Sequence, residues 1–160
     1  MKKILFVLLF TLPFTGFGQT EYITEKHENG KVSAEGNLKN GEYDGLWKIY
    51  YENGQTYQII NYTDGVIDGA YEIYFQNGKL QQTGNYKDNM LNGIVKTYYE
   101  NGKLAQVGNH TDNEFNGSFK LYHENGKLKQ VSTFSNKGDE VKGRWVSYDS
   151  IGNITSDINY

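Results

Sequence analysis

The dipeptide Asn-Gly falls at Asn29-Gly30, Asn53-Gly54, Asn77-Gly78, Asn101-Gly102 and Asn125-Gly126, always 24 residues apart. A fixed period of this size implies stacked supersecondary units, each unable to bury its apolar side alone. In register, the copies align Gly45, Gly69, Gly93 and Gly117 in one column and Tyr50, Tyr74, Tyr98 and Tyr122 in another. The last unit is two residues longer, so its counterparts are Gly143 and Tyr148.

Each unit reads as a β-hairpin. In Gly69–Tyr86 two short runs rich in aromatic and β-branched residues flank Asn77-Gly78, and no 3.6-residue periodicity survives the glycines. Asn-Gly tolerates positive φ at both centres of a type I′ turn, so a two-residue loop is expected. That loop sets Gln76 opposite Lys79, Phe75 opposite Leu80, Ile73 opposite Gln82, Tyr71 opposite Gly84 and Gly69 opposite Tyr86. Elsewhere it sets Glu100 opposite Lys103, Glu124 opposite Lys127, Tyr51 opposite Thr56 and Tyr99 opposite Leu104. Period-2 alternation then gathers Trp47, Ile49, Tyr51, Ile60 and Tyr62, and Tyr71, Ile73, Phe75, Leu80 and Tyr86, on a core face. Lys48, Tyr50 and Glu52, and Glu72, Tyr74 and Gln76, take the polar face. The stretch Tyr86–Gly93 is read as a longer connection whose apolar residue (Tyr43, Ile67, Leu91 or Phe115 by repeat) tucks under the sheet. The expected fold is all-β: an elongated single-sheet meander of stacked hairpins.

Residues 1–18 read as a cleavable leader, with Lys2 and Lys3 before an apolar run from Ile4 to Phe14 and small residues at Gly16 and Gly18. The run is about half the ~20 apolar residues of a spanning helix. Export to the periplasm or cell exterior is therefore expected, with no transmembrane segment after cleavage and 19–160 as one repeat domain. Without Lys2 and Lys3 the chain carries 14 basic against 19 acidic residues and a single arginine, Arg144. That balance excludes a nucleic-acid partner, whose phosphates need clustered Lys and Arg. Zero cysteines exclude disulfides, thiolate catalysis and thiolate-bound zinc.

The string Gly45-Leu46-Trp47-Lys48-Ile49-Tyr50-Tyr51-Glu52-Asn53-Gly54 resembles the variant MORN repeat, in the form found in bacterial YwqK-type antitoxins. The resemblance covers about residues 27 to 154. It implies elongated β-hairpin arrays that mediate protein or lipid contacts, and it brings no catalytic residues. Both ends depart from the pattern: no Tyr stands just before His27 in the first unit, and Asp149-Ser150-Ile151-Gly152 replaces the last Asn-Gly turn.

No cofactor, metal or catalytic set is expected. His27 and His123 share the column of Tyr51, Phe75 and Tyr99, and His110 that of Tyr62 and Tyr86, so the three act as aromatic substitutes rather than ligands. Asp44, Asp64, Asp68, Asp88 and Asp112 are spread one or two per turn, too few for the six to eight oxygens of calcium. No two carboxylates stand out as a glycosidase pair. Four N-x-S/T sequences, at Asn61, Asn109, Asn116 and Asn153, reflect an Asn-rich chain. The candidate binding residues are Tyr50, Tyr74, Tyr98, Tyr122 and Tyr148, which alternation puts on the polar face. They either pack on one another as a shield or anchor a partner, and a β-bulge would turn them into the core. The expected function is a non-catalytic module holding a protein partner, with toxin neutralisation as a narrower form. A cell-envelope glycan binder is the alternative. Open sheet edges also allow self-association.

Overall fold

The computed structural model describes residues 18–137 and 140–159; the expected leader, Gly18 apart, lies outside the described residues. Fourteen strands follow in chain order: β1 (Thr20–Lys26), β2 (Val32–Lys39), β3 (Glu42–Tyr50), β4 (Thr56–Thr63), β5 (Val66–Tyr74), β6 (Leu80–Lys87), β7 (Met90–Leu91), β8 (Gly93–Tyr98), β9 (Leu104–Thr111), β10 (Glu114–Tyr122), β11 (Leu128–Lys137), β12 (Glu140–Lys142), β13 (Arg144–Tyr148) and β14 (Ile154–Asn159). Neighbours in sequence are neighbours in space. The sheet runs β1-β2-β3-β4-β5-β6-β8-β9-β10-β11-β13-β14, with β7 beside β6 and β12 beside β11. Every pairing is antiparallel, an open all-β meander as the period implied.

The turns differ from expectation. At Asn77-Gly78 the Gly78 N–H donates to Phe75 O (2.9 Å) and Phe75 N–H to Lys79 O (2.9 Å), which closes a three-residue loop of Gln76, Asn77 and Gly78. Only the glycine has positive φ, +80°. Phe75 therefore faces Lys79, Tyr74 faces Leu80, and the expected Gln76–Lys79 and Phe75–Leu80 pairs do not form. Tyr51 and Tyr99 likewise hydrogen-bond with Gln55 and Lys103, while Tyr50 pairs with Thr56 and Tyr98 with Leu104. Hence Glu100–Lys103 and Glu124–Lys127 are not cross-strand pairs either. One bulged residue on the returning strand (Tyr57, Gln81) then restores the register. Ile73↔Gln82, Tyr71↔Gly84 and Gly69↔Tyr86 pair as expected because the longer loop and the bulge cancel.

Type I′ turns do occur, but in the other connections. Asn40-Gly41, Asp64-Gly65, Asp88-Asn89 and Asp112-Asn113 all have both residues at positive φ. They join Lys39 to Glu42, Thr63 to Val66, Lys87 to Met90 and Thr111 to Glu114 directly. The supposed long connection is thus strand up to a two-residue turn. Gly69 explains its column: at φ +109° it sits in a bulge where Asp68, Gly69 and Ala70 oppose Asn61 alone.

The core lies on the expected face, except that Leu80 opposes Tyr74 and so stands on the outer face, because the Asn-Gly loop holds three residues and the bulge at Gln81 comes after Leu80. Trp47, Ile60 and Tyr71 are buried, with Ile67, Ile73, Tyr62, Tyr86 and Leu91 packed round them. A second group joins Phe115, Phe119, Phe134 and Trp145 by ring contacts of 4.7 to 6.4 Å. Since a single sheet has no second layer to close on, aromatic rings must lie down over the backbone opposite. Trp47 covers Gly36, Tyr71 covers Gly84 and Phe119 covers Gly108, each so closely that a Cβ there would come within 2.5 to 3.0 Å of the ring. At the fifth repeat Ser132, fully buried, lies opposite Trp145.

Candidate functional site

Once the core face is filled, the outer face carries the side chains left over. Tyr50, Tyr74, Tyr98, Tyr122 and Tyr148 end the second strand of successive units and are all half-buried. The one-residue bulges fall on the returning strands, and the bulge at Gly69 adds two residues to the tyrosine strand, so the parity of the tyrosines is kept. Tyr50 Oη donates to Glu35 (2.5 Å), and Tyr74 Oη donates to Glu72, two residues away on its own strand. Glu35 pairs with Lys48 and Glu72 with Ile59, all outer positions. Two strands separate consecutive tyrosines, about 9.4–9.8 Å at ordinary strand spacing, so the rings are too far apart to stack face to face. No aromatic pair links any two of the five. For Tyr50 and Tyr74 the hydroxyls are held by carboxylates rather than by the next ring of the column.

The phenols of Tyr50 and Tyr74 resist ionisation. Burial, then the hydrogen bond and negative charge of Glu35, push Tyr50 up to about 12. For Tyr74 the Glu72 hydrogen bond comes first and burial second, again to about 12. Both hydroxyls stay neutral donors across the physiological range.

The columns flanking the tyrosines serve the stack itself. His27 Nε2 lies 2.9 Å from Tyr50 O, Tyr51 Oη donates to Tyr74 O (2.7 Å), Tyr99 Oη to Tyr122 O (2.6 Å), and His123 Nε2 lies 3.1 Å from Tyr148 O. Each ring thus reaches the next repeat. The acceptor is a carbonyl, so the histidine Nε2 carries the proton. His27 and His123 are stacking residues, as their column implied, and Phe75 leaves a gap in the series.

The Asn-Gly-Lys motif has the same purpose. Asn29, Asn53, Asn77, Asn101 and Asn125 accept through Oδ1 from the backbone N–H two residues on. Asn29, Asn101 and Asn125 Nδ2 then donate to Glu52, Glu124 and Ser150 carbonyls of the following unit. Lys31, Lys79, Lys103 and Lys127 Nζ donate to the carbonyls of Asn53, Glu100, Asn125 and Ile151, at 2.8 to 3.1 Å. At the opposite rim Asn89 and Asn113 Oδ1 accept from Ile67 and Leu91 N–H. Reading by residue type missed these ties. The available clue was a polar tip kept on an aromatic column and a cation after every Asn-Gly but one.

His110 is buried against Phe115 (4.5 Å between centroids), and its Nδ1 has no partner. Burial lowers its pKa, opposed by a backbone hydrogen bond with Gly108. Among the described residues no three His, Asp or Glu side chains gather as a cation site, and no helix is long and apolar enough to cross a membrane.

Comparison with known proteins agrees with this architecture. The family model described as MORN repeat variant matches residues 43–64, 67–88, 91–112 and 115–136, each beginning just after a tight turn and running through the bulge, tyrosine and Asn-Gly loop of one unit. A search of curated proteins returns no match. Four tandem matches cover more than half of the sequence, and the chain belongs to the MORN repeat variant family.

Proposed function

We propose that this is an exported, non-catalytic repeat protein that holds a protein partner along the outer face of its sheet. One observation carries the reading. The recurrent motifs are used up in stacking one repeat on the next, whereas the row Tyr50, Tyr74, Tyr98, Tyr122 and Tyr148 recurs on the face that nothing in the described chain packs upon. Half-buried tyrosines offer rigid contact area with a polar tip, the chemistry enriched at protein interfaces. Export rests on the leader-like residues 1–18. A toxin as partner, met outside the cytoplasm, is the narrower form suggested by the resemblance to antitoxin repeats.

An envelope glycan is the second reading, favoured by the even spacing of the rings. Glu35 and Glu72 hold the Tyr50 and Tyr74 hydroxyls, which leaves these rings less free to serve as stacking platforms.

The test uses the wild type and the Tyr74→Ala/Tyr98→Ala variant as bait for envelope and secreted proteins, each first shown folded by circular dichroism. Loss of a captured protein from the folded variant supports the reading; equal capture overturns it. Retention on a polysaccharide column with no protein captured favours the glycan. Fractionation finding the protein only in the cytoplasm overturns export.

A further inference from the structure

The outer face changes character halfway along. In the first half the carboxylates of its central row are committed: Glu35 lies opposite Lys48 and accepts from Tyr50, with Tyr22 also reaching it, and Glu72 accepts from Tyr74. In the second half the counterparts of Glu72 are lysines. Lys96 lies between Thr83 and Val107, and Lys120 between Val107 and Val131, so both stand on the same face as Tyr98 and Tyr122 two residues on. Lys129, the bulged residue of β11, sits between Tyr122 and Tyr148. Lys96, Lys120 and Lys129 are exposed and have no ion pair among the described residues, and their row has no carboxylate between β6 and β13. A chain with net charge −3 therefore presents a local positive strip lined by tyrosines and valines.

The spacing of that strip selects a conformation. Lys96 and Lys120 are two strands apart, as are Tyr98 and Tyr122, about 9.4–9.8 Å. A polyproline II segment repeats every three residues and about 9.3 Å, a mismatch of about half an ångström per repeat or less. An extended strand repeats a face about every 6.6–6.8 Å, and two turns of α-helix span about 10.8 Å; both fall out of step.

We propose that the outer face across β8, β9, β10 and β11 binds an acidic polyproline II segment laid perpendicular to the strands, with carboxylates three residues apart on Lys96 and Lys120 and its proline rings against Tyr98, Tyr122 and Val107. This rests on the protein-binding reading and names the chemistry of the partner. Opposite charge steers the encounter and fixes the register, while ring contact supplies apolar burial.

The test is fluorescence anisotropy with a labelled peptide in which glutamate recurs at every third position between prolines. Its controls are the lysine counterpart and a peptide with glutamate at every second position. The proposal expects binding of the first peptide alone, weakening as salt rises from about 50 to about 300 mM. It further expects about a three- to tenfold loss in Lys96→Gln or Lys120→Gln and no change in Lys48→Gln. Equal binding of either control peptide overturns it, as does indifference to both substitutions. Binding only to vesicles containing anionic lipid, lost in the two lysine variants, also overturns it and gives the strip to a membrane. Should the peptide fail while the Tyr74→Ala/Tyr98→Ala variant still loses its captured protein, this inference falls and the protein-binding reading stands. If capture persists as well, both fall.

Discussion

Gly36→Ala tests whether ring-over-glycine packing holds the single layer together. A Cβ at residue 36 would lie 2.5 Å from Trp47 Cδ2 and Cε2 and 2.7 Å from Cγ. Carbon atoms rest at about 3.5–4.0 Å, so the indole must retreat by about 1 Å. It has little room to do so. Trp47 is 3% exposed, its Nε1 donates to Asn37 O at 3.0 Å, and Tyr43 meets it edge-on at 4.4 Å. Overpacking of this kind costs about 1–3 kcal/mol, and losing the indole hydrogen bond adds about 0.5–1.5 kcal/mol. Reduced freedom of the unfolded chain returns about 0.4–1 kcal/mol. The net loss is about 0.5–4 kcal/mol, a fall in Tm of about 1–16 °C for a domain of this size. Gly78→Ala is the control, because nothing lies within 4 Å of its Cβ and only φ +80° opposes the change. It should lose about 1–2 kcal/mol through backbone strain alone. Thermal and denaturant melts in a Trp145→Phe background, read by Trp47 fluorescence, separate the two causes. Gly36→Ala should shift the native emission of Trp47 to the red, and Gly78→Ala should not. A Gly36→Ala protein with unchanged emission and midpoint would refute the packing argument.

Further outcomes follow from individual residues. Phe75→Tyr places a hydroxyl where Tyr51 and Tyr99 reach the next repeat, with Tyr98 O as the missing acceptor; a gain of about 0.5–1.5 kcal/mol in urea melts is expected, and Tyr51→Phe should lose a similar amount. His110→Phe copies Phe134 one repeat on and removes the unpaired Nδ1, so it should stabilise by about 1 kcal/mol. The pKa of His110 is lowered from 6.5, so on acidification the unfolded chain binds a proton before the folded chain does. Wild-type stability, intact above pH 6.5, should therefore decline as pH falls below it, and this part of the decline should vanish in His110→Phe. Tyr50 and Tyr74 reverse the sign: their phenols are raised from 10.0 to about 12, so stability held below pH 10 is lost as pH rises toward 12. Glu35→Gln should bring forward the phenolate absorbance step of Tyr50.

The period and the two faces were legible because both are written into side chains. Trp47, Ile60 and Tyr71 alternate with Lys48, Ile59 and Glu72, and no reordering of turns disturbs that alternation. Turn geometry was not legible, because Asn-Gly suits two loops. Asn77 Oδ1 accepts the Lys79 N–H and leaves positive φ to Gly78 alone, whereas Asp64-Gly65 and Asp88-Asn89, less distinctive as letters, make the tight turns. The register of Tyr71 with Gly84 came out correctly through two deviations that cancel, the added loop residue Gln76 and the bulge at Gln81. The ties between repeats were hidden for another reason. Tyr51 and Lys103 display a donor in the sequence, but their acceptors are carbonyls, which every residue has.

The stack of repeats, with the outer face as its ruler, is tested most directly by distances between spin labels. The chain contains no cysteine, so single cysteines at outer-face positions label cleanly. Pairs at Lys48/Lys96 and Lys48/Lys120 lie two and three repeats apart on one row. At four and six strand spacings these backbones should be about 19 Å and about 29 Å apart, a rise of about 10 Å per repeat. Distances that fail to grow with repeat number would contradict the account.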